Sequence, residues 1–176
     1  MAYHHLAMAA ADMAAIHNFY ETILGFELVK VEIGPVPDGG WAKHFFYRMA
    51  GDDSCFIAFW ELHEVPGCEN METALSRAAG VPDQINHIAF NAPDLDHLRQ
   101  RKNAWQCAGL TVLEVDHNWC RSIYTKDPNG NMVEFCVTTG AFSAEDRDLA
   151  LKALTSNQVS HSEPPASVEI HHPKSD

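Results

Sequence analysis

Val115-Asp116-His117-Asn118-Trp119-Cys120-Arg121-Ser122-Ile123-Tyr124-Thr125-Lys126-Asp127-Pro128-Asn129-Gly130-Asn131-Met132-Val133-Glu134 is the stretch that decides how this chain folds. Asp127-Pro128-Asn129-Gly130 is a strong turn sequence, because Pro sets φ and Asn-Gly tolerates positive φ. The flanks, Arg121 to Thr125 and Asn131 to Val137, read as strands, so the stretch is a hairpin. In its second strand Val133, Phe135 and Val137 share an apolar face. Met132, Glu134 and Cys136 share the other. Glu134 therefore points away from the packed side, with a histidine, His117, and a phenol, Tyr124, carried by the same hairpin.

Working outward, a partial internal repeat gives Glu134 company. His5-Leu6-Ala7-Met8-Ala9-Ala10-Ala11-Asp12 and His87-Ile88-Ala89-Phe90-Asn91-Ala92-Pro93-Asp94 are both His, six residues, Asp. Each reads as a strand with an apolar back and a small-residue front bearing one histidine. Asp12 and Asp94 then cap helices expected over Met13 to Leu24 and Leu95 to Cys107. Three strands follow each helix: Phe26 to Ile33, Lys43 to Arg48 and Cys55 to Leu62, then Leu110 to Val115, Arg121 to Thr125 and Asn131 to Val137. Each half is β-α-β-β-β. Glu134 closes the second half, and Glu61 lies near the end of the first.

The paired βαβββ modules, His5, His87, Glu134 and the Asp127-Pro128-Asn129-Gly130 turn resemble the vicinal oxygen chelate superfamily. That group includes glyoxalase I, fosfomycin-resistance proteins, methylmalonyl-CoA epimerase and extradiol ring-cleavage dioxygenases. The resemblance covers roughly residues 3 to 138. The run from His117 to Glu134 is similar, position for position, to the extradiol dioxygenase signature, although many such enzymes carry four modules and this chain carries two. The resemblance implies an α+β fold in which two modules (3–63 and 84–138, within a domain spanning 1–140) form a curved mixed sheet around a metal-binding cleft. It also implies a homodimer, whose sheet closes within one chain or by exchange between two.

For the site, the resemblance implies His5, His87 and Glu134 as metal ligands, with Glu61 a candidate fourth. Two imidazoles and one carboxylate suit Fe(II) and also accept Mn(II), Zn(II) or Ni(II). Three ligands leave room for a catechol-like aromatic diol and for O2. His117 is then expected to handle protons and Tyr124 to hold a substrate oxygen. His63, two residues past Glu61, is a candidate second acid/base. Phe59, Trp119 and His44 are expected to line the substrate pocket, while Trp60 and Phe135 are expected in the core. Two other functions compete. With Glu61 as a fourth ligand the chain would be a glyoxalase- or epimerase-like lyase or isomerase acting through an enediolate. Without metal it would be a small-molecule binding or resistance protein.

Composition limits the remainder. The chain has 176 residues, enough for one well-cored domain. Its net charge of -12 argues against nucleic acid and anionic membrane surfaces as partners. No apolar stretch approaches the ~20 residues that span a bilayer, and the N-terminus does not read as a signal peptide. Five cysteines without a CxxC point to a reducing, cytoplasmic setting, with Cys55, Cys107 and Cys136 expected as buried thiols. Residues 64–84 link the modules and are expected to hold a short helix near Met71 to Arg77. A C-terminal helix is expected over 141–155, and 156–176, rich in Ser, Pro and His, reads as an unstructured tail.

Overall fold

The computed structural model describes residues 3–49, 54–158 and 161–174. In chain order it contains β1 (His5–Ala9), α1 (Met13–His17) running on into a π-helical turn (Asn18–Ile23), β2 (Glu27–Pro35), β3 (Trp41–Arg48), β4 (Phe56–His63) and α2 (Leu75–Ala78). Then come β5 (His87–Asn91), α3 (Leu95–Cys107), β6 (Val112–Asp116), β7 (Cys120–Lys126), β8 (Met132–Thr138), α4 (Ala144–Ala153) and β9 (Ser167–His171). The class is α+β with two βαβββ modules. The strands form two sheets, ordered β1-β4-β3-β2 and β5-β8-β7-β6-β9. The chain divides into two compact units, residues 1–88 with 126–133, and residues 89–125 with 134–176.

In the first unit β1 runs parallel to β4, while β3 is antiparallel to both β4 and β2. Asp12 accepts a hydrogen bond from the Ala15 amide at 3.0 Å and starts α1, as its sequence position predicts. The helix lays Ile16, Phe19, Tyr20 and Leu24 on one face of the sheet, all nearly fully buried. Tyr20 and Tyr47 meet Phe59 at ring separations of 4.7 and 6.0 Å. This is the core of the unit, and burying such aromatic rings supplies most of its driving force.

The Asp127–Asn131 turn belongs to this unit. Asn129 accepts from the Ala11 amide at 3.2 Å and donates to the Ala9 carbonyl at 2.9 Å. Tyr20 donates its hydroxyl to Asp127 at 3.0 Å, and Asn131 accepts from the Leu75 amide at 2.8 Å. Asp127, Asn129 and Asn131 are all buried, so each polar atom used here needs a partner, and the turn is a joint rather than a solvated loop. Gly130 turns the chain at φ 84°, and a Cβ there would lie 2.6 Å from the Arg77 guanidinium. The positive φ favours glycine, while the Arg77 side chain could move aside.

In the second unit Asp94 caps α3 through the His97 amide at 2.7 Å. Leu98 and Trp105 on α3 are buried, and Phe135 packs 5.7 Å from Trp105 and 5.5 Å from Phe90. Phe135 is core, as expected. Helix α4 starts at a Ser143–Asp146 capping box.

The stretch 156–176 is not wholly an unstructured tail. Ser167–His171 forms β9, antiparallel to β6 along its length from Val112↔His171 to Asp116↔Ser167. His171 reaches Glu114 at 2.9 Å, and Gln106 donates to the His172 carbonyl at 2.8 Å. The alternation Val168, Glu169, Ile170 is short and flanked by Pro and Ser, which hides it. Val168 and Ile170 remain exposed, so main-chain pairing and the His171 contact hold the strand rather than burial. Residues 159, 160, 175 and 176 lie outside the described residues.

Candidate metal centre

The site is assembled from strand faces. In β1 and β4, His5 is paired with Phe56, Ala7 with Ala58 and Ala9 with Trp60. β3 continues this face with Phe46 opposite Ala58 and His44 opposite Trp60. One side of the first sheet therefore carries His5, Phe46, His44 and Trp60. His44 stacks on Trp60 at 3.7 Å and lies 4.1 Å from Phe46, and His5 sits 5.8 Å from Phe46 and 6.4 Å from His44. His44 is 6% exposed, and its Nε2 has no hydrogen-bond partner. Burial lowers its pKa, with His5 adding, so it stands as a neutral imidazole at physiological pH.

The same register departs from four expectations. Glu61 pairs with Lys43 across the strands, on the face of Phe59 and Ile57, opposite to His5. Its carboxylate is held by Lys43 Nζ at 2.8 Å and lies 3.4 Å from His63 Nε2. Glu61 thus faces away from His5. His63 stacks on Trp41 at 3.9 Å on that same far face, so this acid/base candidate is not beside His5. Phe59 is fully buried against Tyr20 and is core rather than pocket, while Trp60, expected in the core, is 37% exposed on the His5 side. The cause is common to all four. The period of two gives the parity along β4, but its phase relative to β1 is set by the parallel register.

Both histidines of the repeat stand exposed on their strands, with apolar partners behind (Met8; Ile88 and Phe90), as expected. His87 Nδ1 lies 3.2 Å from the Gln84 carbonyl. A carbonyl only accepts, so Nδ1 is the donor in this contact, the kind of backbone bond that orients a metal-binding imidazole. His5 Nδ1 engages His4 Nδ1 at 2.7 Å.

On β7 and β8 the amide of Asp127 donates to Asn131 and the amide of Thr139 to Trp119, at 2.9 and 2.8 Å. One register satisfies both. It sets Tyr124 opposite Glu134, Ser122 opposite Cys136 and Cys120 opposite Thr138, all on one face. His117 Nε2 lies 3.0 Å from the Tyr124 hydroxyl. Burial raises the Tyr124 pKa, and the Glu134 carboxylate, a hydrogen-bond partner, raises it further. The phenol is therefore a hydrogen-bond donor throughout the physiological range. The hairpin brings His117, Tyr124 and Glu134 into one chain of contacts, and Glu134 is buried. Trp119, half exposed, packs on Phe142 at 5.2 Å. Among the expected buried thiols Cys107 is exposed, whereas Cys120, not singled out, is buried.

Among the described residues, Glu114, Glu169 and His171 form a cluster with ligand atoms within 4.8 Å. Lys102 donates to Glu114 at 2.6 Å, so this cluster is an ion-pair network that fastens β9. Among the described residues no helix is long and apolar enough to cross a membrane.

Residues 2–135 match the model of the Glyoxalase/Bleomycin resistance protein/Dioxygenase superfamily. The chain belongs to that superfamily. It is 24% identical over 160 residues to a probable trivalent organoarsenical cleaving enzyme of Bacillus subtilis (strain 168), covering 88% of this chain and 92% of that protein. It is also 24% identical over 147 residues to biphenyl-2,3-diol 1,2-dioxygenase 2 of Rhodococcus globerulus, covering 83% of this chain and 66% of that enzyme. Among solved structures, a fosfomycin resistance protein from Listeria monocytogenes complexed with Mn(II) and sulfate aligns at a TM-score of 0.52 and 17% identity, covering 84% of this chain and 96% of that one.

Proposed function

We propose that this superfamily member is a metal-dependent dioxygenase of the extradiol type, acting on a catechol-like aromatic diol with O2, with His5, His87 and Glu134 as the metal ligands. The observation that carries the reading is a difference between the modules. The Ala10 amide donates to the Trp60 carbonyl at 2.9 Å, and the Ala92 amide to the Cys136 carbonyl at 2.8 Å. Each donor lies five residues past the module's histidine, so the two bonds are equivalent. Two residues before each acceptor stand Ala58 and Glu134. The first module thus supplies a histidine with no carboxylate at the matching position, and Glu61 faces away from His5. A donor set of two imidazoles and one carboxylate fits a facial triad. His5, His87 and Glu134 would hold Fe(II), which would supply open coordination positions for a diol and for dioxygen.

The chain's own groups then have defined tasks. His117, bonded to Tyr124, takes or returns a proton at a substrate oxygen. Tyr124, kept protonated by burial and by Glu134, would swing its one hydroxyl proton from Glu134 to that oxygen when substrate binds. Trp60, Phe46 and neutral His44 offer an aromatic platform on the His5 side that suits a planar ring. The likeness to the Rhodococcus globerulus dioxygenase supports the class. The lyase or isomerase reading loses its main support with the placement of Glu61. The test is anaerobic purification, iron analysis and oxygen uptake with simple catechols. Stoichiometric iron with one O2 consumed per catechol supports the reading, and proton exchange or isomerisation without oxygen uptake overturns it.

A further inference from the structure

The turn from Asp127 to Asn131 is closed by its own groups. The Gly130 amide donates to the Asp127 carbonyl at 2.9 Å, and the Asn131 amide to the Asp127 carboxylate at 2.8 Å. The side chains of Asn129 and Asn131 are not needed to close it, yet both are buried, and both reach out of the hairpin. Asn129 holds two main-chain groups of the segment that follows His5, the Ala9 carbonyl and the Ala11 amide. That pair of bonds imitates a neighbouring strand and fixes where β1 stands along its own length. Asn131 accepts from the Leu75 amide and donates to the Thr73 carbonyl at 3.3 Å. Next to Leu75, the buried Ser76 hydroxyl accepts from the Asn86 amide at 2.8 Å and donates to the Asn86 carbonyl at 3.3 Å. Asn86 is joined directly to His87. The same turn runs on into β8, which carries Glu134.

We propose that Asn129, Asn131 and Ser76 are positioning residues that set the spacing of the metal donors. Asn129 acts on the strand of His5. Asn131 and Ser76 act on the residue before His87, and both asparagines are anchored at the start of the strand that bears Glu134. The proposal rests on the reading of these three residues as ligands. Metal–ligand distances tolerate only about 0.2 Å of error, whereas one step along a strand moves a residue by about 3.4 Å. His5 and His87 are exposed first residues of their strands, so no core packing sets their height. The main chain must set it. A buried carboxamide suits that task, because one end donates, the other accepts, and no water competes for either. Alanine at Asn129 would leave the Ala9 carbonyl and the Ala11 amide without this partner, and β1 would lose its axial stop.

The test titrates the full chain with Co(II), whose visible spectrum reports binding without oxygen or turnover. The unaltered chain is expected to bind one Co(II), and His5→Ala to lose it. Asn129→Ala and Ser76→Ala are expected to stay folded by near-ultraviolet circular dichroism and to bind Co(II) about 10- to 100-fold more weakly, the cost of removing a group that orients ligands. Ile16→Ala is the matched control, a fully buried apolar residue of the same unit that makes none of these side-chain bonds. It is expected to lower the melting temperature while Co(II) affinity holds within about twofold, because it removes packing and no anchor. If Asn129→Ala fails to fold, Ser76→Ala, which leaves the turn itself intact, carries the same test. Unchanged affinity in Ser76→Ala, or a loss in Ile16→Ala equal to that in the two variants, overturns the proposal alone. Failure of the unaltered chain to bind Co(II), or binding that survives His5→Ala, overturns the ligand reading and the proposal with it.

Discussion

The two modules share one plan and diverge at the residues that matter for chemistry. Each opens with a histidine-bearing strand and an Asp-capped helix, and each orders its four module strands the same way (β1-β4-β3-β2 and β5-β8-β7-β6). The first module fills the position matching Glu134 with Ala58 and surrounds it with rings: Phe46, His44 and Trp60. The second places Glu134 there and surrounds it with polar groups and thiols: Tyr124, Ser122, Cys120 and Cys136. Duplicating a scaffold therefore duplicates the places where side chains can stand, and the side chains then specialise. In this account the aromatic platform sits on one copy and the carboxylate with its proton-handling neighbours on the other.

The largest expected effect follows from the single carboxylate. Glu134→Ala should abolish stoichiometric iron and all catechol turnover while the circular-dichroism spectrum stays folded. Retained iron would mean that the first module supplies an acidic ligand after all. Next comes His117→Ala, which should keep iron and lose turnover by roughly the 10²–10⁴ of a positioned acid/base. Loss of iron, or unchanged turnover, would remove His117 from that role.

A third contrast separates adjacent residues on β4. Phe59→Ala should cost about 3–5 kcal/mol of unfolding free energy, as for a buried ring. Trp60→Ala should leave stability within about 1 kcal/mol and act on the KM for an aromatic substrate. Equal losses of stability would place both rings in the core and dissolve the aromatic platform.

The smallest effect concerns the second unit's edge. Burial acts to raise the Glu114 carboxyl, but Lys102 and then His171 outweigh it and hold it below its ordinary 4.5. Its contribution is present above 4.5 and lost as pH falls through the lowered value. Lys102, His171, Glu169 and Arg121 are the charged groups around it. Amide exchange in Ser167–His171 should therefore quicken selectively below pH 4.5, with the remaining strands protected. Uniform exchange across all strands would show that β9 is not held by this contact.

Much of this was legible in the sequence. The His-x6-Asp repeat, the caps and the turn signal point to two modules, and α3 falls on the approximate Leu95 to Cys107 expected. What escaped was phase. Side chains alternate along β4 whatever its neighbour, but which half of them joins His5 depends on His5 pairing with Phe56 rather than with an adjacent residue. One step of register exchanges Phe59 and Glu61 for Ala58 and Trp60, and composition does not choose between them. The buried Asp127, Asn129 and Asn131 escaped for another reason: a polar turn reads as solvated until the groups that meet it are known. β9 was hidden because its stability comes from backbone pairing and a His171 contact, neither of which leaves a hydrophobic period.

The proposed chemistry needs a donor set of two histidines and one carboxylate, with Glu61 outside it. The direct measurement is a crystal structure of the protein loaded anaerobically with Fe(II). A Glu134 carboxylate oxygen is expected about 2 Å from the ion, the range of a direct metal–carboxylate bond, together with His5 and His87 nitrogens, while Glu61 stays on Lys43. A Glu61 oxygen bonded to the metal would contradict that donor set.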